Sequence, residues 1–281
     1  HMTHHSQNAP EIVLNLFCHG PIERGMDCSA GGVDIYNMTI DGVGLATVAD
    51  SLAAIEQRVV QEKRLTWEEL AAILRNDYAG AEDVRLMMHN IARFGSGDSR
   101  GDFWAKRISE TYTHIMADTP SPLGFNIIPG LFSHGDVINL GNELPATPNG
   151  RHAKAPISHS SEPDPGFMED GTAAPTAKAN AVAAVQPGRG NSAPLQLDID
   201  KMLLYEEGGV ESLETLIKTH NAMGGTLINL NVISKEKILE AHKDPSLYPD
   251  LVVRVTGYSA YFHSLSPQYR QQVVDRLLAA E

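Results

Sequence analysis

The residues best placed to do chemistry form one run, Arg254-Val255-Thr256-Gly257-Tyr258-Ser259-Ala260-Tyr261-Phe262, with Gly257 standing 24 residues before the C-terminus. β-Branched residues lead into Gly257 and aromatic ones follow it, so on spacing alone the glycine ends a strand in a turn that needs positive φ. Four polar candidates stand in proline-rich surroundings. Ser133 and His134 precede Gly135, and His159 and Glu162 bracket Ser160-Ser161. Such groups either line a cavity or fix loops through hydrogen bonds. The two thiols, Cys18 and Cys28, have no flanking pattern that builds a polar, accessible niche, and they read as small buried hydrophobes. Gly188-Arg189-Gly190-Asn191 could cradle an anion, but no Lys-Ser/Thr follows and a plain turn fits better. With no Cys-x-x-Cys, His-Glu-x-x-His or calcium-loop spacing, no bound metal is expected.

The elements that must position these residues fall into three textures. From Ile12 to about Met116 the pattern is mostly helical. Val48–Lys63 puts Ala49, Leu52, Ala53, Ile55, Val59 and Val60 on one face, and Thr66 with Glu69 forms a capping box for the next helix. Val84–Phe94 and Phe103–Met116 are further helices, with Gly80 and Gly95 as stops. The middle, Asp118 to Pro194, holds 11 of the 16 prolines, which forbids long helices and central strands and predicts ordered loops with short strands. Regularity returns from Asp198: a helix over Val210–Met223, a strand over Thr226–Ile233, a helix capped by Ser234, and a strand over Leu251–Thr256. A last helix opens at Ser266-Pro267. Strand, helix, strand in that order predicts a parallel crossover unit and an α/β architecture.

Composition narrows the partners. A net charge of −13 argues against nucleic acid and against an anionic membrane surface. There is no apolar run of transmembrane length and no signal-peptide core, so the expected compartment is the cytoplasm. His1 ahead of Met2 looks like a cloning remnant, and residues up to Glu11 are expected to be a frayed tail.

Taken as written, PDLVVRVTGYSAYF followed by a terminal helix resembles the radical loop of the glycyl radical enzymes, the family of pyruvate formate-lyase, glycerol dehydratase and choline lyase. Ile22-Glu23-Arg24-Gly25-Met26-Asp27, Gly42 through Ile55, Ala146-Thr147-Pro148-Asn149-Gly150-Arg151 and Gly224-Gly225 with its strand resemble further segments of the same family. The resemblance covers nearly the whole chain. It implies the C-terminal part of a ten-stranded β/α barrel over residues 12–194 and a glycyl radical domain over 195–281, with 1–11 as remnant and tail.

The resemblance further implies that Gly257 stores a radical, with Arg254, Tyr258 and Ser259 supporting the loop and Ser133, His134, His159 and Glu162 near the substrate cavity. Glycine suits storage because a planar Cα radical, delocalised into the flanking amide groups, would clash with a side chain. A radical S-adenosylmethionine activase with an iron–sulfur cluster would install it, and the chain itself would bind no cofactor. The family relays the radical to a cysteine in a Gly-Cys motif followed by a glutamate. Neither Cys18 nor Cys28 has that context. The expected partners are therefore a larger subunit carrying the thiyl cysteine and glutamate, the activating enzyme, and a small organic substrate. The expected function is the radical-bearing subunit of a split lyase (dehydratase, decarboxylase or C–C/C–N lyase), inactive alone. The alternative is a non-catalytic spare part that replaces a damaged radical domain.

Overall fold

The computed structural model describes residues 2–121, 124–131, 135–164, 175–186, 188, 193–255 and 257–278. A turn at Met2–His4 runs into a one-turn helix α1 (His5–Asn8), and His5 Nε2 lies 3.1 Å from Glu11 Oε1. After the short helix α2 (Pro21–Arg24), the Asp27 carboxylate gathers the segment. It accepts from the Glu11 N–H and the Asn15 amide, each at 2.8 Å, and from the Ser29 N–H at 2.9 Å. Partial burial opposes its ionisation, but these bonds and the Ser29 hydroxyl outweigh that and hold its pKa at about 2.

Strand β1 (Asn37–Asp41) and the helix α3 (Leu45–Ala54) follow. The single helix expected over Val48–Lys63 changes form midway. Residues Ile55–Gln61 are a π-helix, and Val60 turns to solvent at 52% exposure. Anchors on either side accompany the wider turn. Arg58 donates to the carbonyls of Met87 at 3.1 Å and Asn90 at 2.6 Å, and the Trp104 indole N–H donates to Glu56 Oε2 at 2.8 Å. The helix α4 (Trp67–Arg75) has the capping box expected of Thr66 and Glu69, with Thr66 N–H donating to Glu69 Oε2 at 2.8 Å. Then come α5 (Glu82–His89) and α6 (Arg100–Asp118), whose N-terminus is capped by Ser99.

Leu45, Ala46 and Ala49 pack on Phe94, Ala105 and Leu131, and small side chains let α3 and α6 approach closely. Strand β2 (Asn126–Gly130) lies parallel to β1, with Asn37 opposite Asn126 and Asp41 opposite Gly130. A buried charge cluster backs this layer. Arg93 Nε is 3.1 Å from Asp50 Oδ2, and Asp50 Oδ1 accepts the Phe94 N–H at 2.8 Å.

The proline-rich stretch behaves as its composition dictates, giving only short elements: β2, α7 (Val137–Asn142) and α8 (Pro175–Ala184) among the described residues. It delivers the chain to β3 (Leu195–Asp200), which alternates apolar and polar residues like a half-exposed strand yet is covered on both faces, since Gln196 and Asp198 are buried along with Leu195 and Leu197.

From β3 the chain continues through α9 (Gly209–Ala222), β4 (Ile228–Ile233), α10 (Lys235–Lys243), β5 (Val252–Arg254), β6 (Ser259–Tyr261) and α11 (Pro267–Leu278). At the turn after α9, a side chain on Gly225 would strike the ring of His220, since its Cβ would sit 2.1 Å from Nε2.

The expected crossover must be corrected. β4 does not pair with β5. It lies parallel to β3, with Leu195 opposite Ile228, so the crossover unit is β3–α9–β4. β5 instead forms an antiparallel hairpin with β6, pairing Val252 with Tyr261 and Arg254 with Ser259. The edge that β5 turns toward β4 is occupied by a side chain, described below. Val253, Val255, Phe262, Val273, Val274 and Leu277 close a core between the hairpin, α10 and α11. Burying side chains of this size stabilises by roughly 1.5–3 kcal/mol each.

Candidate functional site

Gly257 sits at the turn of the β5–β6 hairpin in the left-handed region, at φ +65°. The Val255 N–H donates to the Tyr258 carbonyl at 2.9 Å across that turn. An L side chain at this φ is strained, so the turn itself selects glycine. Gly257, Tyr258 and Ser259 are exposed, while Val255 before them and Phe262 after them are buried. The hairpin thus presents its tip outward and roots its base in the core.

Its base is held mainly by side chains. The Asn231 Oδ1 on β4 accepts the Arg254 N–H at 2.9 Å, and Asn231 Nδ2 donates to the Arg254 carbonyl at 3.2 Å. One amide side chain thereby supplies the two bonds a paired strand would give. From α11, Arg276 donates to the Arg254 carbonyl at 2.8 Å and to the Val255 carbonyl at 2.5 Å. Asp198 on β3 ties the two together, receiving Asn231 Nδ2 at 2.6 Å and facing Arg276 Nε at 3.1 Å. Arg254 itself reaches outward, its guanidinium 3.4 Å from Asn229 Oδ1. Sequence reasoning missed Asn231, Asp198 and Arg276. The signal available was Asp198 and Asn231, each a polar residue flanked on both sides by apolar ones; Arg276, which follows Asp275, carries no such mark.

The remaining candidates are placed differently. Ser133 and His134 lie outside the described residues. Glu162 is buried, and its carboxylate accepts the Gln196 N–H and lies 3.3 Å from Lys178 Nζ, fastening the proline-rich loop to β3. Burial pushes its pKa up, against the pull of Lys178. His159, also buried, is 4.0 Å from Glu162 Oε2. With Val137, Ile157, Asp164, Asp275 and Arg276 it lines a cavity of about 180 Å³ between the proline-rich loop and α11. His159 and Glu162 are therefore adjacent to each other, and the same cavity borders the Arg276 that holds the hairpin.

Cys28 is buried, and burial, reinforced by the Asp27 charge, pushes its pKa up. Among the described residues no group of three His, Cys, Asp or Glu side chains could hold a metal, and no helix is long and apolar enough to cross a membrane.

A glycine-tipped hairpin rooted between a parallel strand pair and a terminal helix defines the class. The pyruvate formate lyase-like family model matches residues 1–141, and the glycine radical model matches residues 166–263. The chain belongs to the glycyl radical enzyme family. It is 29% identical over 272 residues to the trans-4-hydroxy-L-proline dehydratase of Clostridioides difficile, covering 96% of this chain and 34% of that protein. It is 32% identical over 245 residues to the isethionate sulfite-lyase of Oleidesulfovibrio alaskensis, covering 83% of this chain and 28% of the relative. The glycerol-bound B12-independent glycerol dehydratase of Clostridium butyricum superposes with a TM-score of 0.86 at 28% identity, over 98% of this chain and 35% of that one. The chain thus spans about a third of the length of the curated relatives it matches.

Proposed function

We propose that this chain is the glycyl-radical-bearing part of a lyase, with Gly257 as the radical site. What carries the reading is the position of Gly257, at the exposed tip of a hairpin inside the span that matches the glycine radical family. An activase takes one hydrogen atom from the Gly257 Cα. The resulting radical takes the thiol hydrogen of a cysteine outside these 281 residues, restoring glycine. The thiyl then takes a hydrogen from substrate, and after bond cleavage the product radical recovers it. Relatives named as a dehydratase and a sulfite-lyase support an elimination-type cleavage of a small organic substrate.

The thiyl cysteine and its glutamate come, in this reading, from a larger partner subunit. Two observations favour completion by further chain. Among the described residues, β1–β2 and β3–β4 are parallel pairs of only two strands each, an arrangement that is stable only when more strands and covering layers complete it. An unshielded Gly257 would also lose its radical to solvent and oxygen. We assign residues 12–194 to the C-terminal part of a ten-stranded barrel and 195–281 to the radical domain, with Arg254, Tyr258 and Ser259 supporting the loop and His159 beside the cavity. Family matching over residues 1–141 gives no support to a bare spare-part domain.

Anaerobic activation tests the assignment. The expected result is a doublet electron paramagnetic resonance signal that collapses toward a singlet when glycine is deuterated at Cα. A doublet persisting in Gly257→Ala would overturn it.

A further inference from the structure

Both thiols of the chain, Cys18 and Cys28, fall within one small segment, and Asn15 brings them together. Its Oδ1 accepts the Cys28 N–H at 2.8 Å, and its Nδ2 donates to Asp27 at 2.8 Å. Cys18 follows Asn15 by three residues in a helical turn, its N–H donating to the Leu14 carbonyl at 3.2 Å, so the two side chains share a face of that turn. The Cys18 sulfur is near enough for its charge to act on the Cys28 thiol. Little apolar packing holds the turn that carries Cys18. Ile12, Val13, Leu16 and Phe17 are all exposed, Phe17 at 80%, so the turn can shift without opening any core.

We infer that Cys18 and Cys28 are a peroxide-responsive dithiol that closes to a disulfide, clipping the Cys18 turn onto the segment that Asp27 gathers. Cys18 is the half-buried thiol, whereas Cys28 is buried, so Cys18 meets the oxidant first. Its sulfur takes one oxygen atom from hydrogen peroxide, giving a sulfenic acid and releasing water. The Cys28 sulfur then attacks the Cys18 sulfur and forms the S–S bond, while the hydroxyl leaves with the Cys28 proton as a second water. Two thiols lose two electrons and one peroxide is reduced. Burial and the Asp27 charge push the Cys28 pKa up, which shields it from peroxide and reserves it for the neighbouring sulfenic acid. A dithiol reductant reverses the closure. Closed, the clip records exposure to oxidant in the segment that leads into β1. It stands whether or not Gly257 stores a radical.

The test uses the unactivated chain and hydrogen peroxide. Titratable thiols should fall from two per chain to none, and the intact mass should lose two hydrogen atoms without gaining oxygen. Arg24 lies between the cysteines and is the first residue at which trypsin cuts. A non-reducing digest should therefore hold residues 1–24 and 25–58 as one linked species that dithiothreitol separates. In Cys28→Ser the same treatment should leave oxygen on Cys18 and no linked species. Cys18→Ser changes the less buried position and serves if Cys28→Ser fails to fold. Its remaining Cys28 thiol should survive peroxide ~10-fold longer than the thiols of wild type.

The contribution of the fold is measured against glutathione. Native buffer should favour the closed form by ~10-fold or more over urea, where chain length alone brings the thiols together. An equal preference in both would overturn the inference. So would two free thiols surviving peroxide, or a disulfide-linked dimer in place of the linked peptides.

Discussion

The Tyr269 hydroxyl on α11 donates to the Gly135 carbonyl at 2.5 Å, joining residues 134 positions apart in sequence. This bond and the His159–Arg276 cavity link the proline-rich loop to the helix that holds the glycine hairpin. Movement of one therefore loads the other. Tyr269→Phe keeps the ring's packing and removes only the hydroxyl. It should cost about 1 kcal/mol, the net worth of a hydrogen bond whose acceptor can find water. Chemical denaturation should show that loss. A variant as stable as wild type would mean that the bond carries no net energy.

Gly257→Ala separates conformation from chemistry. Placing a Cβ at φ +65° should cost roughly 1–2 kcal/mol, a modest loss on an exposed turn. The radical consequences should be total. Air admitted to activated wild type should cut the backbone at Gly257, because oxygen adds to the carbon radical and the peroxyl product fragments. Mass spectrometry should find a chain ending near residue 256. In Gly257→Ala that fragment should be absent, and a cut at another residue would move the radical elsewhere.

Two carboxylates give the chain opposite responses to acid. Burial pushes Asp50 up to about 7 even with Arg93 beside it, whereas its unfolded value is near 3.8. The native state therefore binds the proton more tightly than the unfolded chain. Stability from this group is full below about pH 4 and declines as pH rises toward 7. Asp27 is the reverse: its hydrogen bonds hold it at about 2, so its contribution is present above about pH 4 and disappears as pH falls toward 2. Asp50→Asn should flatten the decline between pH 4 and 7. Asp27→Asn should cost ~1 kcal/mol at neutral pH, discounted for its partial exposure, and nothing at pH 2. Melting curves across pH check both signs; stability of wild type rising from pH 4 to 7 would contradict the Asp50 assignment.

Local signals carried much of the fold. Thr66 with Glu69, Ser234, and Ser266 with Pro267 each marked a helix start within a residue or so, because capping is a short-range hydrogen-bond requirement. Strand pairing was less legible. β4 and β5 look alike in sequence, and nothing local says that Asn231 will fill the edge between them. β1 and β3 alternate polar and apolar residues, but over only five and six positions, too short a run to stand out from the surrounding loops. For the site, the Gly257 loop was legible as a motif, while its supports were not: Asp198, Asn231 and Arg276 matter only once three distant elements converge. Glu162 was visible as a polar residue in a loop, but its pairing with Lys178 and Gln196 is tertiary.

The last prediction concerns the thiols. Cys28 has a raised pKa from burial, and its backbone N–H is bound to Asn15 Oδ1 at 2.8 Å, so it belongs to the Asp27 hub that organises the N-terminal segment. A hydrogen-relay thiol must instead face both the stored radical and the substrate. Cys18→Ala and Cys28→Ser should therefore leave the doublet signal and the turnover of the completed enzyme unchanged. Cys28→Ser should cost stability, since it trades a buried sulfur for a more polar hydroxyl, by roughly 1–2 kcal/mol. The informative experiment mixes the activated chain with a polypeptide supplying the barrel segment that bears Gly-Cys and Glu. Turnover should appear only in the mixture and vanish when that polypeptide's cysteine is replaced. Turnover by the activated chain alone, abolished by Cys18→Ala or Cys28→Ser, would place the relay within these 281 residues and refute the two-part reading.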